Sequence, residues 1–255
     1  MSYSTHIVVP SQLSPVERAD LIDEMYATHC RIFDGVCRDK FAAYVVESSA
    51  SRTRIQLLRD GWGRLRGYAA FHVFHEVHEG RRTAIVRMEV GAERAWRRRT
   101  VFARFVLSEL FRVCLGNPLT PIYLLACFVH PSAFVSVARH APEMWPMVDR
   151  PVPGHIDALF ARMARMFSLE PAGGPGVYSV GWITRETTRP AQVSREAAFY
   201  VERNPGYVNG TGLLSIVPVS LRMLCQAGVT VALQQLRRSF GFGQRRPATP
   251  AALEG

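Results

Sequence analysis

The stretch Arg66–Val90, RGYAAFHVFHEVHEGRRTAIVRMEV, decides how the rest of the chain is read. It holds two runs of strand-forming residues, Arg66 to Val77 and Arg82 to Val90, separated by Glu79-Gly80. Such runs on both sides of a short glycine-containing turn predict an antiparallel hairpin. A two-residue turn sets position 78 opposite 81, and every later pair follows from that register. Phe71 then faces Met88, Val73 faces Val86 and His75 faces Ala84 on a mainly apolar face. On the other face Phe74 meets Ile85, His72 meets Arg87 and Ala70 meets Glu89. That face is mixed, with a histidine, an arginine and a glutamate within reach of one another.

Downstream of the hairpin lies a basic segment, Arg94, Arg97, Arg98 and Arg99, with Thr100 as N-cap of a following helix. Phe102, Phe105, Val106, Leu110, Val113 and Cys114 form its buried stripe, and Asn117-Pro118 stops it. Ile122 to Val129 is a near-continuous apolar run of strand length, expected to be covered on both faces. His130-Pro131-Ser132 ends it, and a short helix follows to about His140. A proline-marked loop leads to an amphipathic helix with Ile156, Leu159, Phe160, Met163 and Phe167 on one side. Val177 to Ile183 reads as the last strand. Upstream, Ser14-Pro15-Val16-Glu17 is a capping box with proline at the first helical position. A second helical piece runs through Asp39 to Val46, and residues 54–58 form a short strand.

Composition bounds the function. With 255 residues and 48% hydrophobic content the chain can bury a sizeable core. The formal net charge of +10 implies an anionic partner, although genome base composition also raises arginine content. Five dispersed cysteines without a CxxC pair argue against a disulfide framework and a zinc site, and suit a reducing cytoplasm. Residues 1–10 lack the features of a signal peptide. No helix-turn-helix pattern, zinc motif or aromatic-studded strand points to nucleic acid.

Helix, strand, hairpin, basic turn, helix, central strand and helix is an order that resembles the GNAT (N-acetyltransferase) superfamily, over about Leu13 to Ile183. The implied fold is α/β, a mixed, mostly antiparallel sheet flanked by helices. In that family a turn patterned R/Q-x-x-G-x-G/A and the helix after it hold the pyrophosphate of coenzyme A, as unpaired helix-start N–H groups can. Here Arg97 takes the first motif position, while Thr100 and Phe102 stand where glycines are expected. The resemblance therefore implies Arg97, Arg98, Arg99 and Thr100 at the donor phosphates, with either coenzyme A or an acidic acyl-carrier protein as the carrier. The family's carbonyl contact, a backbone N–H where the two central strands splay, falls at Val90. Val129-His130-Pro131-Ser132-Ala133-Phe134 resembles the family's V-x-N-x-x-A exit from the central strand, and the usual tyrosine acid has no match near Val137. In layout the chain is similar to lipid-directed long-chain N-acyltransferases.

Acyl transfer to an amine needs a base and an oxyanion stabiliser. Glu89 is the first candidate base, with an ion pair to Arg87 as the other reading. His72 is the second, with a partly buried structural histidine as its alternative. His130 could orient the acceptor or simply cap the next helix. Cys127 reads as a buried inert thiol. His72, His75 and His78 alternate faces on a strand, so no metal site is expected.

The expected organisation is a GNAT-like domain over 1–190, an apolar amphipathic extension over 191–236 and a basic disordered tail over 237–255. Pro218 and Arg222 make Gly212 to Leu236 costly as a membrane span, so it is read as interfacial or as lining an acyl-chain groove. The expected activity is fatty-acyl transfer from an acyl-CoA or acyl-carrier thioester to a primary amine of a lipid or amino-acid-like acceptor. The expected place is cytoplasmic, on or off an anionic membrane surface. The competing readings are a soluble small-molecule acetyltransferase and a non-catalytic binding module.

Overall fold

A computed structural model describes residues 2–97, 101–139, 141, 143–185 and 194–229. Arg98, Arg99, Thr100 and residues 230–255 lie outside the described residues, and with them the basic tail and most of the expected donor turn.

The chain begins with an edge strand, β1 (Tyr3–Val8), and helix α1 (Pro15–His29). The capping box forms as expected: Ser14 Oγ accepts from Glu17 N at 3.3 Å and Glu17 Oε2 accepts from Ser14 N at 2.9 Å. A short β2 (Phe33–Asp34), helix α2 (Arg38–Phe41) and a π-helical turn over Ala42–Val46 follow. Next come β3 (Arg52–Asp60), β4 (Leu65–His78) and β5 (Arg81–Ala92), then α3 (Val101–Gly116) and β6 (Ile122–Phe128). Helices α4 (Pro131–Ala138) and α5 (Gly154–Met166), short strands β7 (Glu170–Pro171), β8 (Val177–Ser179) and β9 (Ile183–Thr184), α6 (Arg195–Arg203) and β10 (Thr211–Pro218) complete it.

The main sheet has the order β1-β3-β4-β5-β6-β10-β8-β7. Every neighbouring pair is antiparallel except β5 and β6, which run parallel. This is the mixed, mostly antiparallel, helix-flanked α/β layout expected from the sequence. The β4–β5 hairpin has the expected register throughout, from His78 opposite Arg81 to Ala70 opposite Glu89. Its turn residues Glu79 and Gly80 have φ of 49° and 72°, the left-handed pair of a type I′ turn, whose twist matches that of the strands.

One face of the sheet packs Phe71, Val73, Val86 and Leu124 against Phe102, Phe105, Leu110 and Val113 of α3, Phe134 of α4 and Tyr200 of α6. On the other face α1 and the Ala42–Val46 turn cover Ile55, Leu57 and Tyr68 with Met25, Phe41 and Val45. Farther along that face, α5 covers Phe74, Ile85 and Leu125 with Leu159 and Met163.

One expectation needs correction. The sequence predicts an extension over 191–236, with 212–236 interfacial or groove-forming. Thr211–Pro218 is instead a strand of the main sheet, hydrogen-bonded between β6 and β8, with Gly212 through Val217 buried. A short apolar run covered on both faces does not reveal its period, so strand and helix look alike in sequence. Pro218 ends the strand, as a residue without an N–H must. Residues 221–229 are helical, and among the described residues no helix is long and apolar enough to cross a membrane.

Glu79 is strained in the left-handed region, which asparagine tolerates better. Glu79→Asn is therefore expected to stabilise the protein by about 0.5 kcal/mol, read from the urea midpoint at unchanged slope.

Candidate active site

The parallel ladder between β5 and β6 is short. It runs from Ala84 opposite Ile122 to Arg87 opposite Leu125 and goes no farther. Both strands continue: β5 stays paired with β4 to Ala92, and β6 stays paired with β10 to Phe128. The two strands therefore part after Arg87 and Leu125 and open a V in the sheet. Backbone groups on its facing edges are released from the ladder and free to meet a ligand. Val90, 44% exposed on a strand whose other residues are largely buried, stands at this opening.

Glu89 lies on the β5 wall. Its carboxylate is 2.8 Å from His72 Nε2 and 2.7 Å from Arg87 Nε. All three residues are buried. Both contacts are close in distance but off-line for a hydrogen bond; that with Arg87 is an ion pair and that with His72 a polar contact. Burial pushes the Glu89 carboxyl up, but the Arg87 charge and then His72 outweigh it and hold the group below its ordinary value. Glu89 is thus ionised. Thr53 Oγ1 meets His72 Nδ1 at 3.0 Å from the neighbouring strand. Arg87 donates to the Tyr44 carbonyl at 2.5 Å, and its guanidinium lies 3.7 Å from the Tyr44 ring centre and 4.9 Å from that of Phe167. The π-helical turn brings Tyr44 over the strand in this way. Tyr68, on the same strand as His72, bonds His29 Nδ1 at 2.9 Å and packs against Gly91, where an added Cβ would lie 3.0 Å from its ring.

The opposite wall is β6 and the turn after it. Extending the parallel register puts Cys127 level with Glu89. Burial pushes the Cys127 thiol up to about 12, and Gly212 leaves room for its sulfur, since a Cβ there would lie 2.6 Å from it. This is an inert thiol rather than a nucleophile. The Phe128 carbonyl accepts from Tyr200 Oη at 2.7 Å. His130 caps α4: its Nδ1 accepts from Ser132 N at 3.2 Å, which places the proton of a neutral ring on Nε2. Burial, and then the Arg97 guanidinium, lower its pKa. His130 therefore presents an Nε2–H donor rather than a base. Arg97 itself is anchored by donating to the Ala92 carbonyl at 2.9 Å.

The structure thus brings Glu89 and His72 together, as the hairpin register required, and sets Val90 beside them at the opening. Arg97 and His130 share the same end of the splay. Arg98, Arg99 and Thr100 lie outside the described residues. Sequence reasoning missed Thr53, Tyr44 and Tyr200. Thr53 could have been found by pairing β3 with β4, whereas the Tyr44 and Tyr200 contacts join elements distant in the chain. Among the described residues, no group of three or more His, Cys, Asp or Glu could hold a metal ion.

No protein-family model matches the sequence, and no curated protein matches it. Among solved structures it is similar to Escherichia coli ElaA, at 14% identity over 60% of this chain and 95% of that one, with a TM-score of 0.35. It is similar to an acyl-CoA N-acyltransferase from Pseudomonas aeruginosa, at 16% identity over 55% and 87%, with a TM-score of 0.34. It is also similar to Arabidopsis thaliana NAA60 in complex with a bisubstrate analogue, at 11% identity over 86% and 100%, with a TM-score of 0.37. These are distant likenesses of layout and say nothing of substrate.

Two outcomes follow from the buried groups. Glu89→Ala leaves Arg87 as an uncompensated buried charge, so it is expected to cost about 3–5 kcal/mol in denaturant unfolding. His29 is 1% exposed, and burial drives its pKa from the ordinary 6.5 down to about 4. Between those values the unfolded chain takes up a proton that the folded chain refuses. The His29 contribution is therefore fully present above pH 6.5 and is lost as pH falls toward about 4, a decline of about 3 kcal/mol. In urea unfolding across that range, His29→Phe should flatten this part of the curve.

Proposed function

We propose that this chain is an N-acyltransferase that moves an acyl group from a thioester to a primary amine. The observation that carries the reading is the parting of β5 and β6 after Arg87 and Leu125. A thioester lying in that opening can meet backbone N–H groups that have no ladder partner, and such groups stabilise the oxyanion formed when an amine attacks. In this reading Val90 N–H faces the carbonyl oxygen. The amine nitrogen bonds to the carbonyl carbon, the carbon–sulfur bond breaks, and the thiol leaves with a proton.

Glu89 is the proposed proton acceptor for the attacking amine. Its carboxylate is ionised and sits on the wall of the opening, and His72 behind it shares the incoming charge. His130 offers an Nε2–H to the acceptor or to the departing sulfur. Arg97, with Arg98, Arg99 and Thr100, is the proposed contact for donor phosphates, because Arg97 is fixed at the end of β5 beside the opening. Acyl-CoA suits this role, and an acidic acyl-carrier protein is the alternative donor.

The finer proposal is a long acyl chain and a lipid or amino-acid-like amine at a membrane surface, in keeping with the net charge of +10. One observation favours a soluble small-molecule acetyltransferase instead. Thr211–Pro218, part of the segment expected to line a chain groove, is a strand of the sheet. The organisation we propose is accordingly one acyltransferase domain that extends at least through Leu224, because Val219, Met223 and Leu224 join the buried core that contains α3 and β10.

Thiol release is measured for acetyl- to palmitoyl-CoA with a panel of primary amines. A preference for long chains supports the lipid reading, and a preference for acetyl-CoA supports the second. Glu89→Gln is expected to lower kcat by about 10²-fold with little change in KM for the thioester, and Arg97→Ala to raise that KM about tenfold. Absence of thiol release from every donor sinks the proposal, and an unchanged kcat in folded Glu89→Gln removes Glu89 from it.

A further inference from the structure

One buried carboxylate on the α3 face of the sheet gathers more positive charge than it can neutralise. Glu109 of α3 is fully buried. Arg52 and Arg54 reach it from β3, with Nη2 at 2.7 Å and Nη1 at 3.2 Å, and Arg112 reaches it from the next turn of its own helix. Arg52 and Arg54 stand opposite Val73 and Phe71, whose side chains pack under α3, so β3 and α3 meet at this point. One carboxylate balances one guanidinium, which leaves two positive charges over. Among the described residues the three arginines have no other polar partner. The C-terminal end of α3 adds back about half a negative charge at most. Guanidinium groups gathered on one carboxylate lie close enough to repel one another, and burial of their shared partner weakens the screening between them.

The chain does not complete this cluster by itself. Arg54 Nε is buried without a hydrogen-bond partner, and so is Gln56 Oε1, the next side chain on the same face of β3. Arg52 and Arg112 keep 39% and 51% of their side chains exposed, so a solute can reach them. Arg52 donates to Glu109 through Nη2 and Arg112 through Nη1. The rest of each planar fork is left for a second acceptor. Two surplus charges and several forks at one point select a doubly charged group rich in oxygen. A phosphoryl dianion supplies both charges, and its oxygens accept from more than one guanidinium at once. A carboxylate ligand would leave one charge unbalanced. A polyanion is held by charges strung along a surface rather than by charges gathered on one carboxylate.

We propose that Arg52, Arg54 and Arg112 form a binding site for a phosphoryl dianion, free phosphate or the phosphate of a monoester, that bridges β3 and α3. The site stands apart from the opening between β5 and β6. β4 and β5 separate β3 from that opening, and Arg112 lies about 16 Å along α3 from Val101 at the helix start. Anion binding here does not depend on the acyl-transfer reading.

Thermal unfolding of the full chain near neutral pH and at matched ionic strength tests the site. Inorganic phosphate and O-phosphoserine are the probes, and sodium acetate and sodium chloride the controls. About 10 mM of a bound probe should raise the midpoint by about 4 °C, as for a dissociation constant of about 1 mM, and the controls should leave it unchanged. A shift with phosphate alone assigns the site to free phosphate, and a shift with O-phosphoserine, alone or as well, assigns it to monoesters. Arg112→Gln should abolish the shift. Without phosphate this variant should be at least as stable as wild type, because Arg52 and Arg54 still balance Glu109. Arg97→Ala, which alters the candidate donor contact, should keep the shift. No shift with either probe overturns the proposal, as does an equal shift with acetate or chloride. A shift that survives in Arg112→Gln also overturns it, and one that is then lost in Arg97→Ala places the anion at the donor contact instead. A midpoint several degrees lower for Arg112→Gln in phosphate-free buffer overturns it too, since Arg112 is then needed to balance Glu109 and is no surplus.

Discussion

The Glu89 carboxylate is buried in the middle of a sheet, and the structure on that face is arranged around compensating it. A lone carboxylate there would protonate or pull the strand apart. Arg87, two residues away on the same strand, supplies the opposing charge, and His72, diagonally across the hairpin, sets Nε2 against the other oxygen. Their own demands then recruit the next layer. Arg87 needs the Tyr44 carbonyl and ring, which need the π-helical turn, and His72 needs Thr53 of β3. Three neighbouring strands and the segment after α2 are therefore tied to one carboxylate.

The other face repeats the device at a different place. Glu109 of α3, fully buried, is met by Arg52 and Arg54 of β3 and by Arg112 of its own helix. These clusters also revise what the basic composition means. Many arginines that suggest an anionic partner in the sequence are spent on internal ion pairs with Glu24, Asp60, Glu93 and Glu109.

Local rules made much of the hairpin legible. A two-residue turn and strict alternation of faces leave one register, so the meeting of His72, Arg87 and Glu89 is legible in the sequence. The capping box at Ser14 is similarly local. What stayed hidden was non-local. The edge strand β1 has no apolar face, with residues Tyr3 through Ile7 exposed, so its pattern carries no signal. β10 lies far along the chain from its partner β6 and has a mainly apolar composition, broken by Ser215, that fits either period. The capping role of His130, which puts its proton on Nε2, was among the alternatives in sequence, but the lowering of its pKa comes from burial and from Arg97.

The sequence by itself determined the hairpin, the face that Glu89 shares with His72 and Arg87, and the helices α1, α3, α4 and α5 on the sheet, because alternation, turn geometry and capping act over a few residues. Only the tertiary structure decided that β5 and β6 part after Arg87 and that β10 enters the sheet beside β6. Those outcomes depend on which distant strands compete for the same hydrogen-bonding edge, and that competition is settled by burial of both sheet faces at once.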